Sequence, residues 1–254
     1  MKNNILLLGS SGTLGKHIIK SKYFSNLKFP TKKQLNILNK KKIEKFLINH
    51  NIDLVIHCAA LARIKECEIN KKKTIKINIK GTSNVVKSIL NLKKNKKKLI
   101  KLIFISSDAV YPSNKGNYKE TDKLAPYNFY GYTKLQGEKI VKKLDNYIII
   151  RTRFFDKKNI PFKYSARNIY TSSLEVSKLV KIISKLYRKN FKGILNVGGR
   201  KISDYKNYKK YKKNLKSCDK KIIFKEAKLR IATDASLNTT KLKKIIWIMF
   251  RLKY

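Results

Sequence analysis

The stretch NNILLLGSSGTLGKHIIKSKYF, residues 3–24, passes from an apolar run through a glycine-containing loop into a helical pattern. The four consecutive apolar residues 5–8 predict a strand that is buried on both faces. After the loop, apolar residues recur at helical spacing. The stretch therefore predicts a buried strand, a tight loop and a helix, in that order.

Three glycines of this loop stand three residues apart, as Gly9, Gly12 and Gly15. Between a strand and a helix, this pattern is typical of dinucleotide binding: Gly9 permits the tight turn and Gly12 lets the backbone approach a pyrophosphate. Gly15 lets the helix pack close to the strand, and the helix N-terminus supplies N–H donors. An ordinary glycine turn is the alternative. We predict cofactor contacts from six residues of the loop: Gly9, Ser11, Gly12, Thr13, Leu14 and Gly15.

Runs typical of strands alternate with runs typical of helices, and several of the strand runs are continuously apolar. This alternation predicts an α/β fold, a doubly wound parallel sheet of the Rossmann type with helices on both faces. We assign residues 1–152 to this dinucleotide-binding core, continued by 173–197. Residues 153–172 and 198–254 are irregular and rich in lysine, and we assign them to a small C-terminal substrate-binding lobe.

The composition is strongly basic, with 62 Lys and Arg against 15 Asp and Glu and a formal charge of +47. Runs such as KKNKKK (93–98) and YKNYKKYKKNLK (205–216) suit binding to nucleic acid or to an anionic membrane surface. The basic residues are mostly lysine, however, whereas base-reading sites favour arginine, and they are spread over the whole chain. We therefore attribute the charge to compositional drift and predict no specific nucleic-acid partner.

Other features of the composition bear on location and chemistry. No run of eighteen apolar residues is present, so we expect no transmembrane segment. Cys58, Cys67 and Cys218 are an odd and scattered set, which is typical of a reducing cytoplasm. The three histidines show no ligand spacing, and we predict no metal site built from them.

The stretch FPTKKQLNI, residues 29–37, covers the end of the second predicted strand and the residues after it. An acidic residue here would hold the ribose hydroxyls of NAD. The sequence offers Thr31, Lys32 and Lys33 instead, and a lysine can bind the additional phosphate of NADP. We predict NADPH as the cofactor, with Lys32 as a contact and NADH left open.

The stretch YNFYGYTK, residues 127–134, contains three tyrosines and ends in a lysine. In a helix, residues four apart lie on one face, so only Tyr130 can pair with Lys134. A neighbouring cation lowers the pKa of a tyrosine, which would make Tyr130 a proton donor near neutral pH. We expect Tyr127 and Tyr132 to lie on other faces of the helix, without a part in the chemistry. A solvated helix face is the alternative interpretation.

Several motifs follow one another along the chain: the glycine pattern, HCAA (57–60), SSDAVY (106–111) and Tyr-x-x-x-Lys (130–134). In this order they resemble the extended short-chain dehydrogenase/reductases. The stretch SSDAVYPSNKGNYKETDKLAPYNFYGYTKLQGEK (106–139) is similar to the signature of the dTDP-4-dehydrorhamnose reductase family. Later blocks fit the same family: RT (151–152), GILNVGG (193–199) and DASLNTTKLKK (234–244).

The resemblance implies a role for each matching residue. Tyr130 would protonate the carbonyl oxygen as hydride arrives, Lys134 would hold the nicotinamide ribose and lower the pKa of Tyr130, and Ser107 would bind the substrate carbonyl. The implied substrate contacts are Ser107, Asp108 and Val110. The implied cofactor contacts beyond the glycine loop are Lys134, Tyr130, Asn36, Ile37, Ala59, Ala60 and Asn78.

The chain departs from the family pattern mainly in its substrate-binding part. Only RFFDKKNIPFKYSARNIYTSS (153–173) separates the RT strand from the next helix, and Phe154 or Phe155 replaces the usual tryptophan. We therefore regard the substrate lobe as abbreviated. The pair Asp108–Ala109 argues against a sugar-nucleotide 4,6-dehydratase, because a glutamate at the second position would be needed as the base for elimination.

These features predict a cytoplasmic oxidoreductase that uses NADPH to reduce a nucleotide-activated 4-keto sugar, as in dTDP-rhamnose biosynthesis for surface polysaccharide. Several alternatives stay open. A related sugar-nucleotide epimerase would use the same serine, tyrosine and lysine. A non-catalytic, NADP-binding regulatory subunit would share the fold, and a nucleic-acid binder rests on charge alone. A homodimer is also left open.

Overall fold

The computed structural model describes residues 3–188, 191–227 and 231–251, the last five as backbone only. The strands are β1 (Ile5–Leu8), β2 (Leu27–Lys28), β3 (Leu54–His57), β4 (Lys101–Ile105), β5 (Tyr147–Thr152), β6 (Phe154–Phe155), β7 (Tyr164–Ala166), β8 (Tyr170–Thr171), β9 (Leu174–Glu175), β10 (Gly193–Val197), β11 (Ile202–Ser203) and β12 (Lys216–Cys218). The α-helices are α1 (Thr13–Lys20), α2 (Lys40–Asn49), α3 (Ile64–Ile69), α4 (Lys71–Thr74), α5 (Gly81–Lys96), α6 (Phe129–Val141), α7 (Val176–Arg188), α8 (Asp204–Lys209), α9 (Lys220–Ala227) and α10 (Thr240–Arg251).

The main sheet has six strands in the order β10-β5-β4-β3-β1-β2, and every neighbouring pair is parallel. The predicted doubly wound parallel sheet is therefore confirmed. After β1 the chain adds β2 on one side and then returns to add β3 on the other. The order of the strands thus reverses between β1 and β3, and in open parallel sheets ligands bind at such a reversal, beyond the carboxyl ends of the strands.

Two apolar clusters cover the two faces of this sheet. In β1, Ile5 and Leu7 face the cluster that includes α1, α7 and Leu242 of α10. Leu6 and Leu8 face the cluster that includes α2, α5 and the end of α6. Because successive residues of a strand point to opposite faces, a continuous apolar run is what a sheet covered on both sides requires.

Helix α5 is preceded by a wider turn than a regular helix has. Ile75–Lys80 form a π-helical segment, which continues directly into α5. A π-turn contains an additional residue, and such turns are frequent at functional sites. Asn78 lies within it and is 3% exposed.

The residues assigned to the lobe form short elements above the carboxyl edge of the sheet. The pairs β6–β9 and β7–β12 are parallel, and the pair β8–β11 is antiparallel. Helix α10 differs from this arrangement, because Leu242 packs into the main core beside Val197. The division into core and lobe stays a proposal, with α10 packed on the core. Within the described ranges, no helix is both long and apolar enough to cross a bilayer.

Candidate active site

A cleft of about 800 Å³ lies at the carboxyl edge of the sheet, where residues that follow β1, β3, β4 and β5 meet. A second cavity, of about 340 Å³, lies beside the loop that follows β2. The two cavities share the walls formed by Gly9, Gly12, Cys58 and Ala60. They therefore form one elongated space, with the glycine loop at its centre.

The glycine loop has the conformation that its sequence predicts. Gly9 has φ +89°, and a Cβ there would lie 2.6 Å from the backbone nitrogen of Ala59. A Cβ at Gly15 would overlap the carbonyl oxygen of Gly9. Because neither position has room for a side chain, these two glycines are required by the fold itself.

Gly12 is different, because the fold does not require it. Its φ is −74°, and a Cβ there would meet only the carbonyl oxygen of Gly9 at 3.5 Å, an ordinary contact. Gly12 lines both cavities and caps α1 without a side-chain acceptor. A pyrophosphate needs a small residue and free helical N–H donors that face a cleft. This part of the site therefore fits a dinucleotide.

The residues predicted to contact the cofactor divide between the two cavities. Thr13, Leu14 and Gly15 line the larger cleft with Tyr130 and Lys134. The smaller cavity contains eight of the others: Gly9, Ser11, Gly12, Lys32, Asn36, Ile37, Ala59 and Ala60. Lys73 also lines it, from the segment that follows α3, and was not predicted.

Helix α6 brings Tyr130 and Lys134 to the wall of the larger cleft. Asn128 caps the helix, and its side-chain oxygen accepts a hydrogen bond from the Gly131 backbone at 2.7 Å. Gly131 lies so close to the Ala109 carbonyl that a Cβ would overlap it. This close approach places Tyr130 beside the turn that carries Ser107, and both residues line the cleft.

The pKa of Tyr130 differs from the expectation. Burial raises it, the carboxylate of Asp108 raises it further, and the nearby hydroxyl of Ser107 only partly offsets these effects. The expectation that Lys134 brings the pKa of Tyr130 towards neutrality is therefore wrong for these side chains. The physical reason is that low polarity and a nearby anion both disfavour a phenolate.

Lys134 is 3% exposed, and its Nζ lies 4.1 Å from the centre of the Phe104 ring. Burial lowers the pKa of Lys134 to about 8, although the Cys58 thiol and the Glu138 carboxylate act in the opposite direction. Lys134 in turn helps to lower the pKa of the buried His57, after the larger effect of burial, to about 3. Lys134 is thus a buried cation that loses its charge within an accessible range of pH.

Ser107 caps the short 3₁₀ turn Asp108–Val110, accepting a hydrogen bond from the Ala109 backbone at 3.1 Å. It donates its own proton to Oδ1 of Asp108 at 3.0 Å. The other oxygen of Asp108 forms an ion pair with Arg153, with Nε and Oδ2 2.8 Å apart, and it has no hydrogen-bond partner among the described residues. The proton of Ser107 is therefore directed at Asp108, which differs from the expectation that it binds the substrate carbonyl.

The cleft residues that were not predicted include Arg153, Asp204 and Tyr208. Burial lowers the pKa of the Arg153 guanidinium, but the carboxylates of Asp108 and Asp204 more than offset this and raise it. A signal for these residues was available. Arg153 directly follows a strand at the edge where ligands bind, and an acid such as Asp204 is unusual in so basic a chain.

Tyr127 was expected to lie on another face of the helix, and its position differs from this expectation. It precedes the helix cap, so the periodicity of α6 does not apply to it. It is 8% exposed and lines the cleft, and its hydroxyl accepts a hydrogen bond from Nη2 of Arg153 at 3.3 Å. Tyr132, in contrast, is 44% exposed and stacks on Phe129, outside the cleft.

The family profile of the RmlD substrate binding domain matches residues 1–169. The chain belongs to this family. The resemblance drawn from the motifs is therefore confirmed at the level of the family.

Two curated relatives illustrate the range of the family's similarities. The chain is 28% identical to methionine adenosyltransferase 2 subunit beta of Bos taurus, over 54% of this chain and 42% of that protein. It is also 28% identical to dTDP-4-dehydrorhamnose reductase of Mycolicibacterium smegmatis, over 59% of this chain and 45% of that protein. The chain spans about half the length of the curated relatives that it matches.

A solved structure matches over almost all of the chain. It is the crystal structure of dTDP-4-dehydrorhamnose reductase from Bacillus anthracis in complex with NADP, with a TM-score of 0.84 and 23% identity. The match covers 96% of this chain and 92% of that chain. At this identity the likeness concerns the fold.

Within this member of the RmlD family, two residues implied by the resemblance do not reach the cleft. Val110 is fully buried and packs in a cluster with Tyr111 and Leu237, so its assignment to the substrate is wrong. Asn78 is committed to structure. Its side chain bonds both backbone groups of Leu61, at 2.8 and 3.0 Å, and the hydroxyl of Thr133 at 3.0 Å.

The two phenylalanines considered for the position of the family's tryptophan have different surroundings. Phe154 lines the cleft, whereas Phe155 packs against Tyr208 and Tyr211.

Proposed function

We propose that the protein is an NADP-linked reductase of a nucleotide-activated 4-keto sugar, acting in the cytoplasm in surface polysaccharide synthesis. The observation that carries this proposal is the cleft itself. Ser107, Tyr130 and Lys134 lie on one wall of a space that also contains the glycine loop. Reduction of a ketone needs a hydride source and a proton donor in one place, and this cleft has room for both.

Bound NADPH would supply the hydride, held by the glycine loop, Lys32 and Lys134. Tyr130 would donate the proton to the carbonyl oxygen of the sugar. The phenol is protonated at neutral pH and can donate this proton, although its raised pKa makes it a weaker acid than a free tyrosine. Arg153 and Asp108 would face the sugar from the other side of Ser107.

Two observations favour NADPH. Lys32 lines the smaller cavity, where the adenosine would lie, and Lys73 lines the same cavity. The similar enzyme from Bacillus anthracis was solved in complex with NADP. NADH is the second candidate.

A regulatory subunit is the second candidate function. It is favoured by the similarity to a protein named methionine adenosyltransferase 2 subunit beta. Such a subunit needs a bound nucleotide but no reaction. An epimerase is the third candidate, since it uses the same serine, tyrosine and lysine.

A nucleic-acid binder has less support. Exposed lysines occur on both helical layers, for example on α2 and on α7, rather than on one face. Of the tyrosines in 205–216, Tyr208 is only 7% exposed and packs between Phe155 and Phe162. It is therefore not available to stack on bases.

The deciding experiment measures NADPH oxidation with a panel of nucleotide 4-keto sugars. The wild type should turn over at least one of them. Tyr130→Phe should lower the rate by about 10² to 10⁴, the usual range for a positioned general acid. Tyr132→Phe is the matched control and should leave the rate unchanged.

Other outcomes identify the alternatives. NADPH binding without turnover of any sugar would replace the reductase with the regulatory subunit. Inversion of a sugar hydroxyl without net NADPH oxidation would identify an epimerase. Wild-type rates in Tyr130→Phe would remove the catalytic assignment.

A further inference from the structure

Helix α6 carries a third buried polar residue on the face of Tyr130 and Lys134. Glu138 lies four residues after Lys134, which places all three on one side of the helix. Glu138 is 1% exposed. Tyr130 and Lys134 line the cleft, whereas Glu138 lies one helical turn beyond Lys134.

The carboxylate of Glu138 is fully engaged. Its Oε1 accepts hydrogen bonds from Oγ of Ser106 at 2.6 Å and from Nε of Arg151 at 3.0 Å. Its Oε2 accepts from Nη2 of Arg151 at 2.7 Å. The side chain of Arg151 is also 1% exposed, so this is a two-bond ion pair sealed from water.

The remaining guanidinium nitrogen of Arg151, Nη1, also has hydrogen-bond partners. It donates to the Tyr111 hydroxyl at 2.8 Å and to the Glu120 carbonyl at 3.1 Å. The Tyr111 hydroxyl lies 3.0 Å from Oδ1 of Asn196, on β10. The network therefore ties α6 to the ends of β4, β5 and β10.

The strand residues that hold Glu138 are next to residues of the cleft. Ser106 directly precedes Ser107, and Arg151 lies two residues before Arg153. A buried ion pair contributes little net stability, because desolvation offsets the attraction of the charges. Its value lies in fixed geometry, and here it fixes the helix of Tyr130 against the turn of Ser107.

The charge of Glu138 also reaches Lys134. The titratable groups that face Lys134 are Cys58 and His57 from the end of β3 and Glu138 from α6 itself, while β4 contributes only the Phe104 ring. Of these groups, Glu138 is the carboxylic acid, and it is held in the ion pair with Arg151. It supports the protonated state of Lys134 against burial.

We propose that Glu138 is a positioning residue for the catalytic wall, which fixes Tyr130 against Ser107 through Ser106 and Arg151 and places a carboxylate one helical turn from Lys134. The part of the inference that concerns turnover rests on the proposed function. The part that concerns the charge of Lys134 does not, and can be measured without a substrate.

The test compares Glu138→Gln, which keeps the shape and removes the charge, with Glu138→Asp, which keeps the charge. Trace acetylation of Lys134, read by mass spectrometry from neutral to alkaline pH, reports its pKa. We expect Glu138→Gln to move this pKa below the wild-type value of about 8 and Glu138→Asp to restore part of it. Turnover of the sugar should fall by about 10- to 100-fold in Glu138→Gln, as for a misplaced catalytic group.

Two further variants separate positioning from folding. Glu44→Gln removes a carboxylate that pairs with Lys40 on α2, outside the cleft, and should change neither quantity. Replacing both Glu138 and Arg151 with Met leaves no unpaired buried charge, so this protein should fold even if Glu138→Gln does not. The double variant should still show the lowered pKa of Lys134 and the loss of sugar turnover.

Each outcome decides the inference. An unchanged pKa of Lys134 together with unchanged turnover in Glu138→Gln overturns it. A shifted pKa in a protein whose wild type turns over no sugar supports the charge effect and removes the proposed function instead. A stable double variant with wild-type turnover shows that Glu138 serves folding alone.

Discussion

The hydroxyl of Ser107 donates to Oδ1 of Asp108, while Oδ2 of the same carboxylate forms an ion pair with Arg153. Asp108 therefore holds the serine beside Tyr130 and the arginine of the lobe at the same time. Its charge is also what raises the pKa of Tyr130 most, after burial.

Replacing Asp108 with Asn should lower the pKa of Tyr130, because the variant loses a negative charge and leaves the Arg153 cation unpaired beside the phenol. The absorbance of tyrosinate during alkaline titration measures this. The signal of Tyr130 is obtained by subtracting the titration of the Asp108→Asn, Tyr130→Phe double variant. Asp122→Asn, which removes a carboxylate near Lys115, should leave the pKa unchanged. An unaltered titration in Asp108→Asn would contradict the electrostatic account.

Lys134→Met should stabilise the protein at neutral pH. The pKa of Lys134 falls from 10.5 to about 8 on folding, and each unit corresponds to about 1.4 kcal/mol, so keeping the lysine charged costs about 3 kcal/mol below pH 8. Between about pH 8 and pH 10.5 the folded state has lost this proton while the unfolded state keeps it, so the cost is relieved as pH rises. Thermal unfolding should show a gain near pH 7 that shrinks near pH 10. Lys139→Met, at an exposed site of the same helix, should show no such dependence on pH.

Two alanine substitutions in the glycine loop should affect different properties. One should lower the stability of the fold, and the other should lower the affinity for NADPH. Gly15→Ala should destabilise the fold, because its Cβ would overlap the Gly9 carbonyl. Gly12→Ala should change stability by less than about 1 kcal/mol, since its backbone conformation suits alanine and only its cap is altered. It should nevertheless weaken NADPH binding at least about tenfold, because the methyl group projects where the pyrophosphate would lie. Thermal unfolding and fluorescence titration with NADPH measure the two effects, and equal NADPH affinity in Gly12→Ala would count against dinucleotide binding.

Tyr127→Phe should raise the KM for the sugar nucleotide by roughly 2- to 10-fold, the effect of one lost hydrogen bond, and leave kcat nearly unchanged. The reason is that its hydroxyl holds Arg153 at the cleft, whereas the proton comes from Tyr130. Steady-state kinetics with the best sugar of the panel provide both constants, with Tyr132→Phe as the control. A fall in kcat similar to that of Tyr130→Phe would assign chemistry to Tyr127 as well.

The sheet was predictable because its sequence signals are local and strong. The apolar run 5–8, the three glycines and the alternation of strands with helices each specify a piece of a doubly wound sheet, and the structure contains each of them. The spacing of Tyr130 and Lys134 likewise depends on helical geometry alone. These features are specified by residues that are close together in the sequence and do not depend on contacts between distant parts of the chain.

The parts that were missed depend on distant contacts. Arg153 lines the cleft with Asp204, which lies fifty-one positions later in the sequence, and nothing in the local pattern joins them. The pKa of Tyr130 depends on burial and on Asp108, so the charge of Lys134 alone gave the wrong direction. Val110 was misplaced because it lies in a short 3₁₀ turn and packs with Tyr111 and Leu237, which is distant in the sequence.

The wide turn Ile75–Lys80 places a constraint on this chain that concerns length rather than residue type. A regular helix rotates by about 100° with each residue. Deleting one residue ahead of Asn78 would therefore rotate its side-chain amide by about the same angle around the helix axis. Ile75 and Lys76 are exposed, and their loss would leave the hydrophobic pattern of the following helix intact. Asn78 would nevertheless leave both Leu61 and Thr133. Such a deletion would keep the hydrophobic pattern of the sequence. It would nevertheless remove the hydrogen bonds that join the loop after β3 to the helix that carries Tyr130.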